Sequence, residues 1–299
     1  MDIIQTLMRR LIKFDYDMDN NNWTLVIRSK AKWFDVNISQ LWSYRDLILL
    51  FVKRDFTAIY KQTILGPLWH FIQPLFSSLV FAFAFSYVGK ISTGNIPPVL
   101  FYLSGIVPWA YFSDCTNRTS NTFISNSGMF GKVYFPRLIT PISIIISSLI
   151  KFFIQFIMLI AFIFYFVIND NPHVNPNVYI LLSPVLVFIM ALLGIGIGTV
   201  VSSLTTRYRD LSNLVGFGIQ LLFYLSPVLF PASIWPEKIR WIIYVNPMTS
   251  IIENFRLGFL GIGSFDGTHL LYSLLVSLII FLFGIMIFTK VEKNFIDTI

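Results

Sequence analysis

The stretch SYRDLILLFVKRDFTAIYKQTILGPLWHFIQP, residues 43–74, decides how this chain is read. A charged, amphipathic segment turns through Gly66-Pro67 straight into the first long apolar run, so a helix lying on a membrane surface is joined to one that crosses it. At about 100° per residue, Leu41, Tyr44, Ile48, Phe51, Val52 and Ile59 share one face, and Arg45, Asp46, Lys53, Arg54 and Lys61 share the other. A basic face opposite an aromatic and aliphatic one suits a helix in the interfacial plane. Asp55 interrupts the apolar face, and a buried carboxylate needs a partner. On an ordinary surface helix, Arg54 or a lipid amine provides that partner; the sharper reading makes the helix a docking surface for another protein.

Outward from that stretch, composition agrees. Of 299 residues, 56% are hydrophobic and only 12% charged, with mean hydropathy +0.72. Length alone would suggest two soluble domains, but a chain so poor in charge cannot present a water-facing surface, and it reads as an integral membrane protein. The net charge of +7 could point to nucleic acid. Most Lys and Arg, however, lie beside apolar runs, where anionic headgroups and topology account for them. A single cysteine, Cys115, excludes an internal disulfide and a cysteine-cluster metal site. The opening MDIIQTLMRRLIKF has an acid at position 2 and no small-residue cleavage site after a long apolar core, so no signal peptide is expected.

The expected fold class is all-α: a polytopic membrane protein with six transmembrane helices, an N-terminal amphipathic interfacial helix and short re-entrant helices on the outer side. Residues 1–40 form a polar extension with the cluster DYDMDNNN and a Trp23, Trp33, Phe34 strip; 41–66 form the interfacial helix; 67–299 form the six-span transmembrane domain, including the outer-side segment 231–268. A spanning helix needs about 20 apolar residues. Six stretches qualify: Leu68–Val88, Val99–Thr119, Ile139–Ile168, Tyr179–Leu204, Leu211–Phe230 and Leu270–Thr289. With the N-terminus inside, Lys and Arg number ten in residues 1–61, three from Arg118 to Arg137, two at Arg207 and Arg209, and two at Lys290 and Lys293. Outside lie Lys90, Lys238, Arg240 and Arg256, and the balance of 17 to 4 predicts both termini inside. The inner connection SNTFISNSGMFGKVYFPRL reads as a compact turn or short helix, and the inner loop Thr205–Asp210 sits tight against the bilayer. The outer segment 231–268 is too polar to span but rich in Trp and Tyr, and helices that dip into the outer leaflet and return satisfy both features.

Several chemistries are missing. No GxxxxGK[ST] occurs, so this chain cannot cradle a nucleotide by the P-loop route, and neither HExxH nor GxSxG is present. His70, His173 and His269 are dispersed and suit surface or packing roles better than metal ligation. The fifteen acids form no paired motif near the outer face. Two charges fall at membrane depth: Asp114 in the second span and Lys151 in the third, with Gln155 one turn further on. Such charges are expensive unless paired or wet, so an Asp114–Lys151 contact is expected. The alternative is a Lys151 that snorkels or faces a wet cavity without Asp114. Gly194, Gly198 and Ser202 repeat every four residues in the fourth span, the small-xxx-small pattern of close helix packing.

The 31 Phe, 13 Tyr and 7 Trp are mostly lipid-facing, packing or interfacial. A minority can line a passage, because a ring offers a flat stacking face and a neighbouring amide a hydrogen bond. Phe217, Gln220 and Tyr224 make one such face, and Trp69, Phe76, Phe83 and Tyr87 a comparable stripe on the first span. Pro231, Trp235, Pro236 and Trp241 would form an outer gate, or a mere lid.

Five stretches carry a resemblance: LWSYRDLILLFVKRDFTAIYKQTILGPLWHFIQP, LSGIVPWAYFS, KVYFPRLITP, RYRDLSNLVGFGIQLLFYLSPVLFP and VNPMTSIIENFRLGFLG, in that order. From about Trp33 onward the chain resembles the membrane subunits of the ABC exporters of polysaccharides: O-antigen, capsule and teichoic acid chains. The resemblance implies a homodimeric permease in the bacterial cytoplasmic (inner) membrane. It is served by two copies of a separate ATPase that binds ATP and Mg, and it moves a lipid-linked polysaccharide; this chain itself holds no cofactor or metal and is not an enzyme. It also implies that Arg45, Asp46, Lys53 and Arg54, with the turn at Gly131, Lys132 and Tyr134, meet the ATPase. A type-2 ABC exporter of small amphiphiles or drugs shares that logic, and a membrane-embedded glycan-processing enzyme is the alternative of another class.

Overall fold

Gly66 turns the corner between surface and bundle. Its φ of +47° lies in the left-handed region that side chains resist, and Pro67 follows inside a 3-10 turn, Gly66–Leu68. Before the corner lie α1 (Ile38–Ser43) and α2 (Arg45–Tyr60); after it comes α3 (Trp69–Phe81), which continues as a π-helical stretch, Ala82–Val88. The computed structural model describes residues 38–61, 65–133, 135–169, 172–208 and 210–294. Residues 1–37, with the expected polar extension, lie outside the described residues, as do Tyr134 and Arg209 and the side chain of Ile59.

All secondary structure among the described residues is helical. The chain continues through α4 (Pro98–Ser120), α5 (Thr122–Phe130), α6 (Ile139–Ile168), α7 (Ser183–Thr205), α8 (Leu211–Tyr224), α9 (Glu237–Val245), α10 (Pro247–Leu260) and α11 (Gly267–Asn294). Four segments are both long and apolar enough to cross a membrane: Gly66–Val88, Ile139–Ile168, Val178–Thr205 and Gly267–Glu292. The other two expected spans differ for separate reasons. Helix α4 is long enough, but its second half carries Ser113, Asp114, Thr116, Asn117 and Arg118. It sits at the centre, packed by α3, α6, α7, α8 and α10, so its side chains meet protein and need not be apolar.

The expected span Leu211–Phe230 requires correction. Helix α8 ends at Tyr224, because Pro227 disfavours helical geometry at Ser226 and Pro231 follows soon after. Its 14 residues rise only about 21 Å, and residues 225–230 complete the path as turns.

Helix α7 is pressed from two sides. A methyl group on Gly198 would come within 2.5 Å of Thr119 Cβ, and one on Gly194 within 2.7 Å of Cys115 Cβ, which sets the approach of α7 to α4. On the side toward α11, Gly284 lies so close that an added Cβ would sit 2.5 Å from the Gly196 carbonyl oxygen. The repeat of small residues therefore packs helices, as its spacing predicts.

At one end of the bundle, an aromatic cluster ties α2 to the rest. Phe51 meets Phe135 edge-on at 5.6 Å, Phe130 meets Phe135 at 5.7 Å, and Phe123 stacks on Phe288 of α11 at 4.6 Å. The backbone N–H of Arg137 donates to Glu292 Oε1 at 2.9 Å, and its guanidinium donates to the Glu292 carbonyl, binding the turn before α6 to the end of α11. The apolar face of α2 thus rests on protein through Phe51 and Val52, while Leu49, Leu50 and Trp42 are exposed.

At the opposite end, α10 is buried along almost its whole length. The Asn246 side chain caps it by accepting from Met248 N at 3.0 Å. Its last carbonyls are taken by Asn175 N, Asn177 N and Asn177 Nδ2. These bonds satisfy groups that a helix end would otherwise leave orphaned.

Candidate functional site

Between α3, α4, α6 and α8 lies an open cavity of 510 Å³. Its wall alternates amides and hydroxyls with rings. Helix α3 contributes His70, Gln73 and Ser77, helix α4 Asp114 and Asn117, helix α6 Lys151 and Gln155, and helix α8 Gln220. The rings include Phe81, Trp109, Tyr111, Phe152 and Phe223, with Trp109 and Phe223 edge-on at 5.6 Å and Phe81 and Phe223 at 6.0 Å.

The cavity polarity continues into a chain of charges. Lys151 Nζ lies 3.1 Å from each carboxylate oxygen of Asp114, and Ser148 Oγ donates to Asp114 Oδ2 at 2.5 Å. One turn along α4, Arg118 Nη1 lies 3.7 Å from Asp114 Oδ2 and donates to Ser148 Oγ at 3.4 Å. Arg118 Nη2 donates to Asp55 Oδ2 on α2 at 2.6 Å, and Arg54 holds Asp55 Oδ1 through Nε at 3.0 Å and Nη2 at 2.8 Å. Of the partners weighed for Asp55, Arg54 is present, and the long-range one is Arg118. Sequence reasoning missed Arg118 because its partners lie on other turns and other helices; its position at the end of a polar half-helix was the available signal.

The expected path residues divide. Gln220 lines the cavity, whereas Phe217 and Tyr224 point away from it, 59% and 51% exposed. Trp69, Phe76, Phe83 and Tyr87 make one exposed stripe along the first span and are not part of this cavity's lining. The rings that do line the cavity, Phe81, Trp109 and Phe223, were not singled out, since only the packing of four helices brings them together. Of the expected partner-facing residues, Arg45, Asp46, Lys53 and Arg54 are exposed on α2, and Gly131 and Lys132 are exposed in the turn after α5. The Arg45 guanidinium lies 5.9 Å from the Trp42 ring, and that of Arg54 lies 4.7 Å from the Phe51 ring.

At the end of the bundle capped by α10, Pro231 precedes a 3-10 turn, Ala232–Ile234, and Pro236 precedes α9. Trp241 is exposed and Trp235 partly buried, and the Trp235 carbonyl accepts from Arg240 Nη2 at 3.1 Å. A second cavity, of 290 Å³, lies here among Pro231, Arg240, Tyr244, Glu253 and His269. Burial pushes the Glu253 carboxyl above its ordinary range, with Arg256 pulling the other way. Asp266, exposed, is held low by the hydrogen bond from the Thr268 hydroxyl and then by the His269 N–H.

Arg256, which counts by sequence among the outside-loop charges, is buried. Its guanidinium sits 3.8 Å from the Phe101 ring and donates to Ser104 Oγ at 3.3 Å, to the Phe101 carbonyl at 3.3 Å, to the Val228 carbonyl at 2.9 Å and to the Pro227 carbonyl. It therefore takes up the carbonyls freed where α8 breaks. Among the described residues no group of three His, Cys, Asp or Glu is placed to hold a metal ion. Cys115, the one nucleophilic sulfur, is buried against Gly194. The arrangement offers hydrogen bonds, stacking faces and charge for a passing ligand, which is binding chemistry.

The sequence profile of the ABC-2 type transporter family matches residues 46–260. The O-antigen export system permease protein RfbA of Klebsiella pneumoniae is 29% identical over 253 residues, covering 84% of this chain and 94% of that protein. RfbA of Myxococcus xanthus is 26% identical over 264 residues, 88% of this chain and 98% of the relative. The polysialic acid transport protein KpsM of Escherichia coli is 21% identical over 241 residues, 80% and 91% of the two chains.

Proposed function

The chain belongs to the ABC-2 type transporter family, and from that premise we propose that it is the permease subunit of an ATP-driven exporter of lipid-linked polysaccharide of the O-antigen or capsule kind. In this family the ATPase is a separate partner and the permease is no enzyme. The observation that carries the substrate class is the 510 Å³ cavity, where amide side chains Gln73, Gln155 and Gln220 sit among Trp109, Phe152 and Phe223. Stacking with scattered hydrogen bonds tolerates many sugar sequences and holds no unit tightly, which suits a chain that must keep moving. Relatives named as O-antigen export and polysialic acid transport proteins favour the same class.

The working form is a homodimer in the bacterial cytoplasmic membrane, with the passage between protomers. The exposed stripes Trp69, Phe76, Phe83, Tyr87 on α3 and its π-helical continuation, and Phe217, Tyr224 on α8, would face that passage. Each protomer crosses six times, α4 inside the bundle and α8 with the turns after it supplying the two crossings beyond the four apolar ones. The excess of Lys and Arg beside one set of segments supports a topology with both termini on the cytoplasmic side. Helices α9 and α10 dip into the outer leaflet, and Pro231, Trp235, Pro236 and Trp241 form the outer gate. Two ATPase subunits bind ATP and Mg and press on α2, at Arg45, Asp46, Lys53 and Arg54, and on the turn at Gly131, Lys132 and Tyr134.

The deciding experiment purifies the chain from membranes. An ATPase should accompany it, with turnover stimulated by a lipid-linked glycan. Transport or modification of substrate by the isolated chain, with no nucleotide-consuming companion, would sink this reading.

A further inference from the structure

Arg54, Asp55, Arg118, Asp114 and Lys151 alternate in sign from the surface helix to the cavity wall, and the count is uneven: three cations share two carboxylates. Arg118 stands between two anions. It is engaged with Asp55 at 2.6 Å, while Asp114, 3.7 Å away, is engaged with Lys151. We propose that Asp55 and Arg118 are positioning residues through which the surface helix α2 sets whether Lys151 is paired or free in the cavity.

The physical reason is competition for Asp114. While Asp55 holds Arg118, Lys151 keeps Asp114, and the cavity wall presents a neutralised pair. When α2 withdraws Asp55, the Arg118 guanidinium loses its close partner and turns to the next carboxylate. Asp114 is four residues earlier on the same helix, the favourable order for an acid and a base. Arginine brings a planar fork that matches a carboxylate bidentately, whereas lysine offers a compact, strongly hydrated point charge on a flexible stem. Arg118 therefore displaces Lys151, whose ammonium turns into the polar cavity it already lines. Ser148, bonded to both Asp114 and Arg118, keeps the two groups in reach during the exchange. The inference rests on the exporter reading for its purpose, since it is the motion of α2 under an ATPase that would drive it.

The test reads Lys151 directly and does not need the partner. The full chain in lipid nanodiscs is treated with an amine-acylating reagent, and labelling of Lys151 is followed by mass spectrometry relative to the exposed Lys90. Asp55→Asn should raise Lys151 labelling by about fivefold or more, the lower end of couplings between sites. Asp55→Glu should behave as wild type. Arg118→Gln should leave labelling at the wild-type level, because nothing then displaces Lys151, and Asp55→Asn with Arg118→Gln should return to that level. Asp55→Ser is carried as a second neutral variant in case the amide does not insert. Unchanged labelling in the Asp55 variants, or an equal rise in Arg118→Gln, overturns the relay; a rise in both variants is what simple loosening of α2 would give. Absence of an ATPase companion would count against the exporter reading while leaving this result intact.

Discussion

Lys151 and Asp114 lie on different helices, yet each supplies what makes the other tolerable at membrane depth. The pair is neither fully exposed nor sealed, with side chains 17% and 29% exposed. Its loss should therefore fall between the ~1 kcal/mol ceiling of exposed pairs and the ~3–5 kcal/mol of breaking a buried one. Asp114→Asn or Lys151→Gln alone should lower the yield of folded protein, and the double neutral variant should lose less than the sum of the two, since each single change strands the other group; strict additivity in quantitative immunoblots of membranes would remove the pair. Arg256 is a stricter case. It closes off carbonyls at Phe101, Pro227 and Val228, and lysine cannot reach them all from one nitrogen. Each buried carbonyl left unpaired costs about 1–3 kcal/mol, so Arg256→Lys should lower the melting temperature in detergent despite keeping the charge. An unchanged melting curve would show that these bonds are dispensable.

Among elements, α7 is the one with least room. Gly198→Ala drives a methyl group to 2.5 Å from Thr119 Cβ, a β-branched atom with nowhere to turn. The expected loss is about 1–3 kcal/mol of stability, the usual range for overpacking. Gly218→Ala in α8 is the matched control, because an added Cβ there meets nothing within 4 Å. With helix propensity favouring alanine by about 1 kcal/mol, it should be neutral or stabilising. Thermal unfolding of both variants checks the contrast; equal behaviour would mean that α7 is not held by close approach. Helix α8 shows the opposite character, stopping after 14 residues because prolines follow it. Its end survives inside the protein because Arg256 and Asn246 bond the turn that replaces it, the latter through Ser226 Oγ at 2.8 Å.

For the whole molecule, the exposed apolar stripes on α3 and α8 are faces open to lipid or to a second copy of the chain. Phe217 and Tyr224 leave their rings uncovered on α8, which lends Gln220 and Phe223 to a cavity whose wall mixes polar groups and rings. If the passage lies between two protomers, alanine at both positions should reduce glycan export while insertion and ATPase assembly stay normal. Surface glycan measured against permease abundance checks this, and full export would remove the stacking role. The two ends of the bundle are built differently. An aromatic cluster fastens α2, the turn before α6 and the end of α11 into one block. The outer end depends on caps and on one guanidinium. The end that holds α2 is therefore joined by packed rings and charges, whereas the opposite end is joined mainly by hydrogen bonds.

The sequence by itself determined the class of environment, the long apolar helices and the corner at Gly66, because hydropathy, period and glycine geometry act locally along the chain. It also pointed to Asp114 and Lys151, since a charge in an apolar run is conspicuous wherever it occurs. Only the tertiary structure decided that Arg118 reaches Asp55, that Arg256 is buried rather than at the surface, and that Phe81, Trp109 and Phe223 line the cavity while the expected stripes face outward. Those outcomes depend on which helix faces meet, and a helix with apolar residues all round carries no mark in its sequence of which side will be covered by protein and which by lipid.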